Sequence, residues 1–327
     1  MTSESSSSMR WNATRAALII ALSGAVACSS GATNTGDAGA ADTDAPMDSA
    51  ALVGAFVVAF NTDFQPYVAS LSGQVYDGAS PSKIIWESAA TDGSCEIVKP
   101  RIPTCSACDV GAVCVADETC QKQNAIVDVG KVTVAGVKTS SGAAPFDLVD
   151  VNGRYTAVPA PTFPPFAEGD DVSVAGSGGV YAAFTLHARG IAPLVLDDSA
   201  LVVERDKALT LTWTPKGASS DAKIHVKLDI SHHGGGSKGE ILCDADDDGS
   251  LTISATLMTQ LLDLGVAGFP TIVVTRRTIS SGAGSGHIEL QLVHDVERSV
   301  TITGLESCTT SAQCSAGKSC QTDLTCK

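Results

Sequence analysis

The run His287-Ile-Glu-Leu-Gln-Leu-Val293 alternates polar and apolar side chains with a period of two. That period belongs to a strand, whose successive side chains point to opposite faces, and not to a helix. It sets the fold class because it recurs. Val53–Phe60, Val129–Val137, Val172–Ala175, Leu209–Trp213, Ile224–Ile230, Thr271–Thr275 and Ser299–Ile302 are rich in Val, Ile, Leu and Thr. Gly, Ser, Asp and Pro recur around them as turn signals. Short strands separated by turn signals predict a mainly β protein of antiparallel β-sandwiches, not a parallel α/β sheet. One stretch breaks the period. In Ser254–Leu264, Leu257, Leu261 and Leu264 recur at helical spacing and Gly265 follows, which predicts a single short helix.

Composition supports a packed core. The chain has 327 residues, 44% hydrophobic and 17% charged, which excludes wholesale disorder. That length fits about two domains. Lys and Arg number 21 against 36 Asp and Glu, a net charge of −15. The surplus excludes a nucleic-acid binder, which needs a basic face, and electrostatic docking on anionic lipid. The strongest internal boundary is Val158-Pro-Ala-Pro-Thr-Phe-Pro-Pro-Phe166, because prolines cannot sit inside a sheet. The expected organisation is a β-sandwich domain over 51–158 with a Cys-rich insertion at 95–124. A Pro-rich linker at 159–166, a second β-sandwich domain over 167–305 and a Cys module at 306–327 complete it.

Residues 1–27 read as an export signal. Arg10 and Arg15 supply the positive start, and Ala16–Ala27 is apolar but too short to span a bilayer. The stretch ends Ala25-Val26-Ala27-Cys28. Small residues before a cysteine look like a lipobox, so Cys28 is the expected lipidation site. Ala-Val-Ala also fits ordinary cleavage, which gives a secreted or periplasmic protein instead. Residues 28–50 are rich in Gly, Ala, Asp and Thr without periodicity, as a disordered acidic tether should be. The expected location is the cell envelope, lipid-anchored at the outer membrane or cell surface.

The chain has 11 cysteines, and ten follow Cys28. Cys308, Cys314, Cys320 and Cys326 form the pattern Cys-x5-Cys-x2-Gly-x2-Cys-x5-Cys around Gly317. Cys105, Cys108, Cys114 and Cys120 repeat it around Gly111, with the first gap shortened to two residues. A module this small cannot fold on buried apolar area, so disulfides must hold it. Four cysteines allow three pairings, and the sequence leaves them open. Cys95 and Cys243 remain, each beside a strand-like run, and a long-range bridge is expected between them. Cys105-Ser-Ala-Cys108 also fits a redox or zinc motif, but an exported chain favours disulfides.

Two resemblances rest on these residues. Gly73-Gln-Val-Tyr-Asp-Gly-Ala-Ser-Pro81 and Asp150-Val-Asn-Gly-Arg-Tyr155 resemble the opening strand and closing turn of carboxypeptidase-regulatory-like, prealbumin-type sandwiches. That resemblance implies a non-catalytic scaffold. The whole chain resembles uncharacterised envelope lipoproteins of Gram-negative bacteria. It does so through Cys28 with its tether, the two Cys modules, Glu240-Ile-Leu-Cys-Asp244 and Asp248-Gly-Ser-Leu-Thr-Ile253. This second resemblance implies no activity.

Three stretches are candidate sites. His233-Gly-Gly-Gly236 and Gly235-Gly-Ser237-Lys-Gly239 match the oxyanion and nucleophile motifs of esterases, with Ser237 as nucleophile. The motifs overlap, however, and a strand-like run follows where a helix belongs, so a hairpin connection reads better. Asp244, Asp246 and Asp248 with Gly249 and Leu251 match the start of a calcium loop. Position 12 is Ala255 instead of a carboxylate, which favours an acidic turn. His232-His233 offers imidazoles near these aspartates. The expected function is a non-catalytic structural or binding module, with a protein or glycan ligand and no cofactor. The alternatives are a calcium-dependent adhesin using Asp244–Asp248 and a secreted serine hydrolase using Ser237.

Overall fold

The computed structural model describes residues 52–63, 65–142, 145–197, 200–234, 236–282 and 287–327. The export signal, Cys28 and the tether lie outside them. The first part of the chain forms β1 (Leu52–Asn61), β2 (Val68–Val75), β3 (Ile85–Asp92) and β4 (Cys95–Arg101). A small hairpin of β5 (Ala112–Ala116) and β6 (Thr119–Lys122) follows, then β7 (Val132–Ala135), β8 (Phe146–Asp147), β9 (Val149–Val151) and β10 (Arg154–Thr156). After the prolines come β11 (Asp171–Gly176), β12 (Phe184–Arg189), β13 (Val202–Val203), β14 (Leu209–Thr212) and β15 (Lys223–Asp229). The last part holds β16 (Glu240–Asp246), β17 (Ser250–Ile253), helix α1 (Ala255–Asp263), β18 (Thr271–Ser281), β19 (His287–Ser299) and β20 (Thr301–Ile302). Mainly β structure with one short α-helix is what the periodicity predicts.

One ten-stranded sheet organises the fold, in the order β3-β4-β16-β15-β18-β19-β1-β2-β10-β9. Its pairs are antiparallel except β1 with β19, which run parallel from Gly54 opposite Ile288 to Asn61 opposite Asp295. A smaller sheet, β12-β11-β7-β8, packs on the same face as the short pair β14-β17 and α1. Strand parity decides which side chains enter. Along β19, Ile288, Leu290, Leu292, His294 and Val296 are buried while the residues between them are half-buried. Where β1 meets β2, Gly73 lies opposite Phe56, and a Cβ there would sit 2.1 Å from the Phe56 ring. Glycine is needed so that the ring can lie across the neighbouring strand.

The buried face carries two apolar cores. One joins Phe56, Val58 and Leu71 to Val134, Val172, Leu186, Leu290 and Leu292. The other joins Cys95 and Ile97 to Leu211, Leu228, Ile241, Leu257, Leu261 and Val274. Each core draws on both sides of the prolines, so a cut at 159–166 would run through the large sheet and both cores instead of falling between two domains. The prolines mark where the chain leaves β10 of the large sheet for β11 of the small one. That segment is packed. Lys138 N–H donates to the Pro165 carbonyl at 2.7 Å, and Phe163, tilted, and Phe166, edge-on, pack against Phe60 with centroids 6.0 and 5.6 Å away.

Helix α1 starts where the sequence places it. Ser254 caps it, its Oγ accepting from Leu257 N–H at 3.3 Å. Leu257, Met258 and Leu261 enter the second core, each side chain contributing about 1.5–3 kcal/mol by burial. Gly265 just beyond the C-cap takes φ 96°, the left-handed turn that favours glycine there.

Between the two cores runs a buried polar seam. Arg276, fully buried, donates through Nε to Asp247 Oδ2 at 2.6 Å and also holds the Pro193 and Thr214 carbonyls. Trp213 Nε1 donates to Asp247 Oδ1 at 2.8 Å. His294 is buried beside them. Its Nδ1 accepts from Leu194 N–H at 3.1 Å, so Nε2 carries the proton toward Thr62 Oγ1 at 3.2 Å. Burial holds this imidazole's pKa down to about 4.

Candidate functional site

Ten cysteines form five disulfides. Cys95 is bridged to Cys243, which are directly opposed on β4 and β16. Cys105 pairs with Cys114 and Cys108 with Cys120. Cys308 pairs with Cys320 and Cys314 with Cys326. Both modules thus join first to third and second to fourth cysteine, so the sequence repeat is also a repeat of connectivity. Their backbones repeat as well. Gly111 and Gly317 take φ 83° and 86°. Each sits third in a turn closed by Ala112 N–H to the Asp109 carbonyl or Lys318 N–H to the Ser315 carbonyl. A type II turn needs a positive φ at that position, which explains the glycine. Two residues before each last cysteine, Glu118 and Leu324 take φ 56° and 60°. The sequence carries a further signal for this, Asp117-Glu-Thr-Cys120 against Asp323-Leu-Thr-Cys326, which the cysteine spacing alone overlooks.

The acidic run does not converge on one point. Asp244 and Asp246 stand on the outer face of β16, each with its own base. Asp244 Oδ1 faces His225 Nδ1 at 3.0 Å and is held by Arg277. Asp246 Oδ1 accepts from Lys223 Nζ at 2.5 Å. These hydrogen bonds lower both pKa values, with His225 the main cause for Asp244 and Lys223 for Asp246. Asp248 accepts from Ser250 N–H at 3.3 Å in the turn. The three carboxylates of the expected calcium loop, Asp244, Asp246 and Asp248, are thus engaged separately: the first two pair with bases across the sheet and the third accepts within its own turn. The run forms the turn between β16 and β17. Asp247, of opposite parity, is the functional-looking residue that the loop motif passed over, and it serves the buried seam.

On the outer face these pairs line an open groove of about 790 Å3. Lys223, Asp244, Asp246 and Arg277 alternate in charge along it, and Leu251 and Ile279 add apolar surface. Such a lining can hold a polar partner through several charge-assisted hydrogen bonds at once.

The hydrolase motif is not assembled either. Ser237 lies between β15 and β16, and Gly239 leads into β16, a strand. Ser237 Oγ accepts from Gly239 N–H at 3.2 Å, with no histidine bonded to it among the described residues. His232 and His233 stack on each other with ring centroids 3.9 Å apart. Asp229 Oδ1 accepts from Ser231 N–H at 2.8 Å and from Ser231 Oγ at 2.9 Å. A nucleophile without a base cannot be activated.

The residues of the prealbumin-type resemblance have clear structural roles. Asn152 and Gly153, at φ 56° and 76°, make the two-residue turn from β9 to β10, and Asp150 Oδ1 accepts from Gly153 N–H at 2.7 Å. Tyr155 is buried, its hydroxyl donating to Asp128 at 2.7 Å and accepting from Val129 N–H. Burial, with Asp128 beside it, pushes its pKa up to about 12.

No family model and no curated protein matches this chain. Among solved structures it is similar to the crystal structure of chicken CNTN1 FN1-FN3 domains. The identity is 10%, over 71% of this chain and 73% of that one, with a TM-score of 0.18. A score that low carries no argument about fold or function. Among the described residues no helix is long and apolar enough to cross a membrane.

Proposed function

We propose that this chain is an exported cell-envelope protein, anchored by lipid at Cys28, that acts as a non-catalytic structural or binding module. One observation carries the reading. All ten cysteines after Cys28 are paired, and such a disulfide density belongs to an oxidising compartment. The tether at 28–50 gives the folded part its distance from a membrane, and two or more acyl chains suffice to hold it there. The charged groove on the outer face supports a polar protein or glycan as ligand. Neither Ser237 nor the aspartates offer assembled chemistry against this reading.

Peptide mass mapping of the protein from native membranes tests it, unreduced and then reduced. The expected result is a new N-terminus at Cys28 carrying a lipid mass, with no free thiol. An unmodified mature N-terminus would leave a secreted protein. Free thiols in either module would contradict the compartment.

A further inference from the structure

The groove on the outer face has a charge balance that its own ion pairs do not close. It is lined from four strands, β15 to β18, with Asp221 just ahead of β15 and Asp248 in the turn from β16 to β17. Its volume of about 790 Å3 suits a small ligand or a few side chains, not a whole domain. Four carboxylates line it against two bases, Lys223 and Arg277. Arg277 and His225 hold Asp244, and Lys223 holds Asp246. Asp221 and Asp248 are left over, and both are exposed. Asp221 makes no hydrogen bond or ion pair among the described residues, and Asp248 accepts only from Ser250 N–H in its own turn. Lys216, which acts on Asp246 from a distance, donates its ammonium to the Ser220 carbonyl at 2.6 Å. Ile279, 43% exposed, offers an apolar side chain in the same groove.

We propose that this groove binds a short basic segment of a partner protein, with Lys or Arg side chains on Asp221 and Asp248 and an aliphatic stem along Ile279. The proposal rests on the binding-module reading above and names its partner. Charge decides the class. Both unpaired groups are anions, so an ammonium or guanidinium gains a charge-assisted hydrogen bond at each. An anionic ligand finds Lys223 and Arg277 already bonded and meets two bare carboxylates. A neutral glycan leaves the surplus charge unanswered. Lys and Arg carry an apolar stem behind the charge, which matches an exposed Ile279 in a groove of carboxylates. The net charge of −15 adds a field that draws a basic partner in and turns an acidic one away. The same field opposes a second copy of this chain as the occupant.

The test uses the full chain with disulfides intact and three labelled probes at low salt: hexa-arginine, hexa-glutamate and a neutral hexasaccharide. The expected result is one equivalent of hexa-arginine bound and neither of the others, with affinity falling as salt rises. A chain this acidic attracts any polycation, so the variants locate the site. Asp221→Asn with Asp248→Asn should weaken binding about tenfold, the effect of two exposed ion pairs. Ile279→Ser should weaken it by a smaller factor. Asp109→Asn with Glu118→Gln, which removes the same charge from exposed positions in the 105–120 module, should leave it unchanged. All the substituted groups are exposed, so each variant should keep the wild-type Tm. No binding of hexa-arginine would overturn the proposal. So would wild-type affinity in the Asp221 and Asp248 double variant, an equal loss in the module control, or tighter binding of either other probe. None of these results touches the lipid anchor or the paired cysteines. Failure of the underlying reading shows instead as an unmodified N-terminus or free thiols.

Discussion

The two cysteine modules share one pairing scheme and one pair of turns, yet they sit differently on the fold. The C-terminal module is docked. Cys308 and Cys326 are buried, Ser307 Oγ donates to the Gly268 carbonyl at 2.6 Å, and Gly268 N–H donates to the Asp323 carbonyl at 2.8 Å. The 105–120 module projects. All of β6 is exposed, and Val110 at the turn is fully exposed. Its ties to the sheet include Arg101, which reaches Asp117 at 2.9 Å and Glu87 at 2.5 Å between exposed groups. Exposed ion pairs of that kind contribute about 0–1 kcal/mol. The same stapled scaffold is thus part of the fold in one place and an appendage in the other. What differs is the surface it buries, and the appendage is the better placed to touch a partner.

That contrast can be broken most forcefully at the staples. Removing a docked bridge, as in Cys314→Ala with Cys326→Ala, should cost the main unfolding transition about 3 kcal/mol, read by calorimetry. Removing Cys105–Cys114 by the same route should leave that transition in place and loosen only 105–120 in hydrogen exchange. Equal effects from the two deletions would erase the distinction.

Acid offers a comparable effect on the sheet alone. His294 stays neutral in the fold, with its pKa lowered to about 4, but binds a proton near pH 6.5 once unfolded. The unfolded chain therefore holds more protons between those values. Stability should be full above pH 6.5 and fall by about 3 kcal/mol as pH drops toward 4. His294→Gln should flatten that slope, while module substitutions leave it intact.

Smaller effects sharpen the contrast. Asp323 accepts from Thr325 N–H, Thr325 Oγ1 and Lys327 Nζ, and these hydrogen bonds, Lys327 first, lower its pKa to about 2. A lowered carboxyl contributes stability above its unfolded pKa and loses it as pH falls toward 2. Asp323→Asn should cost the main transition up to about 1 kcal/mol. The matching Asp117→Asn should not move that transition. Val110→Ser should change neither stability nor spectrum, and any effect on ligand capture would mark the projecting turn as a contact.

Much of this was legible in the residues. Period-two runs locate the long strands, and Ser254 and Gly265 bracket the helix. Reading parity further would have found the seam. Arg276 shares parity with Ile272 and Val274, Asp247 with Ile241 and Cys243, and His294 with Leu290 and Leu292, so all three must point inward. The calcium-loop spacing instead drew the eye to Asp244, Asp246 and Asp248, which point outward or into the turn. Sheet order was not legible. The parallel pairing of β1 with β19 joins residues more than two hundred positions apart and has no local signature. The prolines at 159–166 break a ladder wherever they occur. They mark a change of sheet as readily as a change of domain.

The central claim is that one sheet and two cores are shared by both sides of the prolines. Expressing 51–158 and 167–327 as separate chains under oxidising conditions tests it directly. The account predicts that neither folds alone, because the first core is split between them and the β3–β4 edge, which brings Cys95 and Ile97 to the second core, is parted from the rest of it. Mixed and oxidised together, they should form one complex joined by Cys95–Cys243 with a single cooperative transition. Two fragments that each unfold cooperatively on their own would contradict it.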